Sequence, residues 1–262
     1  MKKRILGGVI LFVLLVPALI IGGRLFKIVT TLISFGAIYE LIKTTTKTKL
    51  KTIYVLAFMY MFSLMHFHFV KGILNIDILT PESLRLSMLV LFLGLSLPLR
   101  DKFSANDSLK VVGIIAFLSY AFTTIMNIYF DSIYKLIFIV LIATMTDIFA
   151  LVGGMLIGKH KLTEISPKKT IEGSIVGSFV GCGIGSLFYY VTIGGINVIA
   201  IIVISLVLTF ISQIGDLVFS SIKRYFNKKD YSNFIPGHGG ILDRFDSVIF
   251  VSLCYMVFFS IL

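Results

Sequence analysis

Long apolar stretches separated by short polar turns run the whole length of the chain. Nine of them, near residues 5–21, 25–42, 52–70, 84–99, 109–129, 134–158, 173–193, 196–222 and 245–262, read as membrane-crossing helices. Each crossing takes about 20 apolar residues, so a chain of 262 residues leaves little length for a domain outside the bilayer. The pattern predicts an all-α, polytopic integral membrane protein with about nine transmembrane helices. A mean hydropathy of +1.00, with 57% hydrophobic and 14% charged residues, sets it apart from soluble domains. Its chemistry must therefore sit inside the helices or in the short turns.

Alternate turns differ sharply in charge. Three Lys/Arg precede the first helix, four fall at 43–51, three at 100–110, four at 159–169 and five at 223–244, so 19 of the 24 lie on one side. Arg24, Lys27, Lys71, Arg85 and Lys135 fall on the other. The positive-inside rule assigns the N-terminus and the basic turns to the cytoplasm and, with nine crossings, the C-terminus to the outside. The net charge of +11 is then a mark of topology and of anionic-lipid contact, and nucleic-acid binding is the weaker reading. Residues 1–4 and the apolar run behind them imitate a secretory signal. However, no A-x-A-like site precedes Gly22 and Gly23 and a second apolar stretch follows at once, so this segment reads as a retained first helix. Cys182 and Cys254 lie in predicted helices and form no metal or redox motif.

The two parts of the chain carry different chemistry within one membrane-embedded unit. Residues 1–140 read as scaffold helices: Glu40 stands near Lys43 at a cytoplasmic helix end, and Asp77 and Glu82 fall in a turn. In residues 141–262 carboxylates enter the helices themselves, and a carboxylate there must be paired, metal-bound or in contact with water. Asp147 lies 11 residues before Gly158, roughly 16 Å along a helix. Asp216 precedes Lys223 by seven residues, about 10 Å. Asp243 and Asp246, three apart at the head of the last helix, share a face. These regions are expected to converge on a polar cavity open to the cytoplasm. For Asp147 a structural role is as good a reading as a functional one.

The segment 221–246, SIKRYFNKKDYSNFIPGHGGILDRFD, is the most polar in the chain. Its Lys223, Arg224, Lys228, Lys229 and Arg244 suit phosphates, and Asp243 and Asp246 suit a cation. Gly237, Gly239 and Gly240 permit backbone shapes that aim N–H groups at an anion, against the plainer reading of a turn. His238 fits phosphate contact or proton transfer and, equally, a structural hydrogen bond. A second basic cluster, Lys159, Lys161, Lys168 and Lys169, lies in the preceding turn on the same side. There Ser166 and Thr170 stand just before a helix whose N-terminus favours phosphate. Gly173, Gly177, Gly181 and Gly185 recur every four residues and read as a packing face. His66 and His68 do not share a helix face and suggest no metal, and no Walker-type phosphate loop is present.

From Ser220 the chain reads S-x-x-K-R-x-x-x-x-K-D-x-x-x-x-x-P-G-H-G-G-x-x-D-R-x-D, and this closely resembles the signature of the phosphatidate cytidylyltransferase (CDP-diacylglycerol synthase) family. The S-P-K-K-T-x-E-G segment from Ser166 and the T-x-T-D segment ending at Asp147 resemble the same family, in the same order. The resemblance covers roughly residues 144–247. It implies transfer of the cytidylyl group from CTP to phosphatidate in phospholipid biosynthesis, at the cytoplasmic side of the cell membrane. The expected Mg²⁺ ligands are Asp216, Asp243 and Asp246, with room for a second cation. The expected phosphate ligands are Lys168, Lys169, Lys223, Arg224 and Arg244, with Ser166 and Thr170 beside them. The loop of Gly237, His238, Gly239 and Gly240 would close over the substrate, and Asp147 joins the cavity as a less certain member. Partners on this reading are CTP, phosphatidate and membrane lipid, with a homodimer open. A related CTP-dependent lipid enzyme, of CDP-archaeol synthase or polyprenol kinase type, and a secondary transporter are the alternatives.

Overall fold

The computed structural model describes residues 2–76, 79–237 and 239–259; Asp77 and His238 lie outside them. Ten helices account for most of these residues: α1 (Lys2–Ile21), α2 (Gly23–Thr45), α3 (Lys51–Met65), α4 (Phe67–Leu74), α5 (Pro81–Ser96), α6 (Ala105–Asp131), α7 (Ile133–Ile157), α8 (Ile171–Thr192), α9 (Val198–Tyr225) and α10 (Leu242–Phe259). Among the described residues the extended pairings are two isolated bridges, Lys161 with Thr170 and Ile235 with Gly239. Within the described residues each of the nine apolar stretches lies largely on helix, one of them on the α3–α4 pair, which bends by 98° at His66. There the ring Nε2 bonds Thr31 Oγ1 of α2 at 2.8 Å.

Five of the described helices, α2, α6, α7, α8 and α9, are long and apolar enough to cross a bilayer, or six spans if the bent pair counts as one. α5 and α10 fall short for identifiable reasons. α5 has 16 residues, about 24 Å of rise against a hydrocarbon core of about 30 Å. α10 carries Asp243, Arg244 and Asp246 within its first turns. Ile20, Leu97 and Leu156 are each more than three-quarters exposed, a surface that suits lipid and not water. The chain is a multi-pass membrane protein.

The described chain falls into two compact units. The first holds residues 1–123 and 230–242. Its core includes Ala37, Ile38 and Ile42 of α2, Ile53, Ala57 and Met61 of α3, Phe92 of α5, and Val111, Ile115 and Leu118 of α6, all fully buried. Thr80 starts α5 with a capping box, its hydroxyl accepting from Ser83 N while Pro81 takes the first helical position.

The second unit holds residues 124–229 and 243–262. Its centre is the seam between α7 and α8, built from small residues on both helices. A Cβ on Gly177 would lie 2.8 Å from Ala150 Cβ, and one on Gly185 2.6 Å from an Ile142 side-chain carbon. Reciprocally, one on Gly153 of α7 would lie 2.7 Å from Val176 Cβ. The every-fourth-residue glycines are thus spent on a backbone approach too close for any side chain. Gln213 ties α9 to α8: its amide nitrogen donates to Ser178 Oγ at 2.7 Å and to Ser174 O at 3.3 Å, while Ser174 Oγ donates to its Oε1.

Candidate active site

Within the second unit, four helices and one turn enclose a cavity of about 330 Å³. α7 contributes Asp147, with Ala150 and Leu151 one turn further on the same face, and α9 contributes Gln213 and Asp216, three apart. α10 contributes Asp243, Arg244 and Asp246, α8 contributes Ser174, and the turn before α8 contributes Leu162, Ser166, Lys168, Lys169 and Thr170. Sequence segments separated by up to 100 residues therefore meet at one place.

The turn from 158 to 170 is held by its own backbone. Leu162 N donates to Lys169 O (2.8 Å), Lys169 N to Ser166 O (3.0 Å) and Ile171 N to His160 O (3.0 Å). Thr170 is the N-cap of α8, its hydroxyl accepting from Gly173 N at 3.1 Å. A Cβ on Gly154 would lie 2.9 Å from that hydroxyl, so a glycine of α7 makes room for the cap. Glu172 fastens the base of the turn: its carboxylate accepts from Lys159 N at 3.1 Å and His160 N at 3.2 Å and bonds His160 Nδ1 at 2.5 Å. Glu172 was not among the candidates, although the spacing of S-P-K-K-T-x-E-G contains it. With the turn pinned this way, Lys168 is exposed while Lys169 reaches across to α9.

The carboxylates differ in their surroundings. Asp216 is ion-paired with Lys169 and accepts from Ser220 Oγ, one turn on, at 3.3 Å. Asp243 is ion-paired with Lys223 at 2.6 Å, their side chains only 5% and 10% exposed. Asp246 is buried, accepts from Ser247 N at 2.8 Å and lies within electrostatic range of Asp216 and Asp147. Ser247 Oγ in turn donates to Asp147 Oδ2 at 3.2 Å, joining α10 to α7. Collecting carboxylates in a partly enclosed cavity is unfavourable unless cations answer them, and Lys169, Arg244 and Lys223 stand among them. Among the described residues no group of three His, Cys, Asp or Glu side chains draws together closely enough to ligate one metal ion. By donor type, however, Asp216, Asp243 and Asp246 offer oxygens alone, which suits a hard divalent cation.

Two expected phosphate ligands are engaged elsewhere. Lys223 is committed to Asp243, and Arg224 is exposed and donates from Nη1 to Lys228 O at 3.2 Å, off the cavity wall. Gly237, Gly239 and Gly240 belong to the first unit. There Gly237 and Gly239 have φ of 75° and 84°, conformations only glycine adopts readily, and Ile235 N donates to Gly239 O at 2.9 Å to close the turn. Gly240 packs on Glu40 of α2, whose carboxylate accepts from Ser232 Oγ, Ile241 N and Leu242 N. No local signal in the sequence marks this role of Glu40.

Comparison with known proteins agrees with these motifs. The description of the cytidylyltransferase family matches residues 2–262. The chain is 30% identical over 263 residues to the phosphatidate cytidylyltransferase of Staphylococcus haemolyticus (strain JCSC1435), covering 96% of both chains. It is 30% identical over 267 residues, with the same coverage, to the proteins of that name from Staphylococcus saprophyticus subsp. saprophyticus and Staphylococcus aureus (strain COL).

Proposed function

The chain belongs to the cytidylyltransferase family, and on that footing we propose that it converts CTP and phosphatidate to CDP-diacylglycerol and pyrophosphate. The observation that carries this reading is the cavity in which Lys168, Lys169 and Arg244 stand with Asp216, Asp243 and Asp246. A phosphate oxygen of phosphatidate bonds to the α-phosphorus of CTP. The bond from that phosphorus to the β-bridging oxygen breaks, and pyrophosphate leaves with the electron pair. The attacking oxygen is already anionic near neutral pH, so no strong general base is required. The difficulty is to bring two polyanions together and to answer the charge on the leaving group. Lys168, on the open side of the turn, and Arg244 bind and orient phosphate. Lys169 and Lys223 hold Asp216 and Asp243 in place until substrate arrives. Asp216, Asp243 and Asp246 would hold Mg²⁺, with a second cation accommodated by the same set; bound there, it would supply charge neutralisation for the phosphates.

The apolar stretches support nine crossings, and the charge asymmetry of the turns then supports an orientation with the N-terminus and the cavity on the cytoplasmic side and the C-terminus outside. CTP then arrives from the cytoplasm, and the lipid enters sideways between helices. Lys161→Cys and Asn233→Cys, both at exposed positions, test this in a background lacking Cys182 and Cys254. Each is expected to react with an impermeant thiol reagent only after the inner face is opened. Labelling of either one in intact cells overturns the orientation.

The activity itself is tested with purified protein, labelled CTP and phosphatidate, comparing CTP with dCTP and the other nucleotides and phosphatidate with a panel of lipid acceptors. Mg²⁺-dependent CDP-diacylglycerol formation is the expected result. Transfer to another lipid and not to phosphatidate would reassign the acceptor, and no transfer to any of them would refute the proposal.

A further inference from the structure

Glu40 is fully buried near the C-terminal end of α2 and lines no part of the cavity. A carboxylate removed from water must find donors for both oxygens, and Glu40 finds them in one segment far along the chain. Oε1 accepts from Ser232 Oγ at 2.5 Å and from Ile241 N at 2.9 Å, and Oε2 accepts from Leu242 N at 2.9 Å. Leu242 is the first residue of α10, so a side chain from α2 supplies the negative charge that favours a helix N-terminus.

The neighbouring residues are shaped to the same contact. A Cβ on Gly240 would lie 2.6 and 2.7 Å from the two Glu40 oxygens, which explains a glycine whose φ is not among the positive ones. One turn before Glu40, Gly36 leaves the space that the Ile241 side chain fills. Ser232 Oγ accepts from Phe234 N at 3.1 Å, and the Phe234 ring meets Tyr39 edge-on at 6.1 Å. One carboxylate thus fastens this segment at Ser232 and again at Ile241 and Leu242.

We propose that Glu40 is a positioning residue for nucleotidyl transfer: by fixing residues 232–242 on α2 it sets where α10 begins, and with it Asp243, Arg244 and Asp246, the next charged residues in the chain. This rests on the function proposed above. Glu40 acts through the loop and touches neither substrate nor metal. A carboxylate is required because donors converge on both of its oxygens; glutamine would turn an NH₂ toward one of them.

The test compares Glu40→Gln, Glu40→Ala, Ser232→Ala, Gly240→Ala and the Glu40→Ala/Gly240→Ala pair. The readouts are hydrogen exchange across 231–242, melting temperature, and kcat and KM for CTP. Glu40→Gln is expected to speed exchange at Ile241 and Leu242 by about tenfold and to lower kcat by about 10- to 100-fold, the scale of a small misplacement of catalytic groups. The KM for CTP should change much less. Gly240→Ala is expected to be severe in the parent and to add little once Glu40 is alanine, because the collision partner is gone. Parental exchange and kcat in Glu40→Gln, or full additivity in the pair, overturns the proposal. Should Glu40→Gln not fold, Ser232→Ala decides: faster exchange with reduced kcat supports the role, and parental values for both refute it. If the parent makes no CDP-diacylglycerol, the proposed function fails, while the exchange arm still decides whether Glu40 seats the loop.

Discussion

Asp246→Asn is expected to lower nucleotidyl transfer by about 100-fold or more, the scale of losing one group that answers transition-state charge, without lowering the melting temperature. The substitution keeps the oxygen that accepts from Ser247 N and removes a buried charge lying within range of Asp216 and Asp147, so the fold loses nothing it needs. What disappears is the anionic oxygen that a hard cation requires. Asp243→Asn differs, because it leaves the nearly buried Lys223 facing an amide; removing one partner of a buried pair typically costs about 3–5 kcal/mol. Asp243→Asn is therefore expected to lose stability and activity together. Measuring activity, melting temperature and Mg²⁺ titration on both variants separates the two effects. Near-parental activity of Asp246→Asn at ordinary Mg²⁺ would remove it from the metal set.

Gly181→Leu is expected to destabilise the second unit by about 1–3 kcal/mol or more, the range for forcing bulk into a close-packed contact. Even a Cβ at this position would come within 3.2 Å of Thr146 N and 3.3 Å of Thr146 Cα. α7 would have to move, and Asp147 is the next residue. Gly183→Leu on the same helix is the matched control, since a Cβ there meets nothing within 4 Å. Detergent melting curves should show a clear loss for Gly181→Leu, accompanied by lost activity, and a near-parental curve for Gly183→Leu. Equal stability of the two would mean that the seam is not set by its glycines.

Much of this arrangement can be read along the chain because its signals are local. Apolar run length marks the helices, and the four-residue glycine repeat marks a close-packed face. Asp147, Asp216 and Asp246 stand out because charge in an apolar helix demands an explanation. The turn before α8 is equally legible, since Ser166, Thr170 and the lysines sit together in sequence. What could not be read is pairing over distance. Glu40 has Lys43 three residues away, and this ordinary neighbour conceals partners 192 to 202 residues further on. For the same reason the ion pair of Lys223 with Asp243 and the amide contact by which Gln213 joins α9 to α8 leave no mark in the local sequence. The span count is hard for another reason: α5 and α10 are near the limit of length or charge that a bilayer accepts.

The seating of residues 232–242 on α2 also fixes an order of events during biosynthesis. Glu40 leaves the ribosome about 200 residues ahead of Ile241 and Leu242, a delay of roughly 10–40 s at ordinary translation rates. During that interval the carboxylate has none of these donors, and it must stay in water or take up a proton before the C-terminal end of α2 can settle into apolar surroundings. The first unit is completed only when nearly the whole chain has been made.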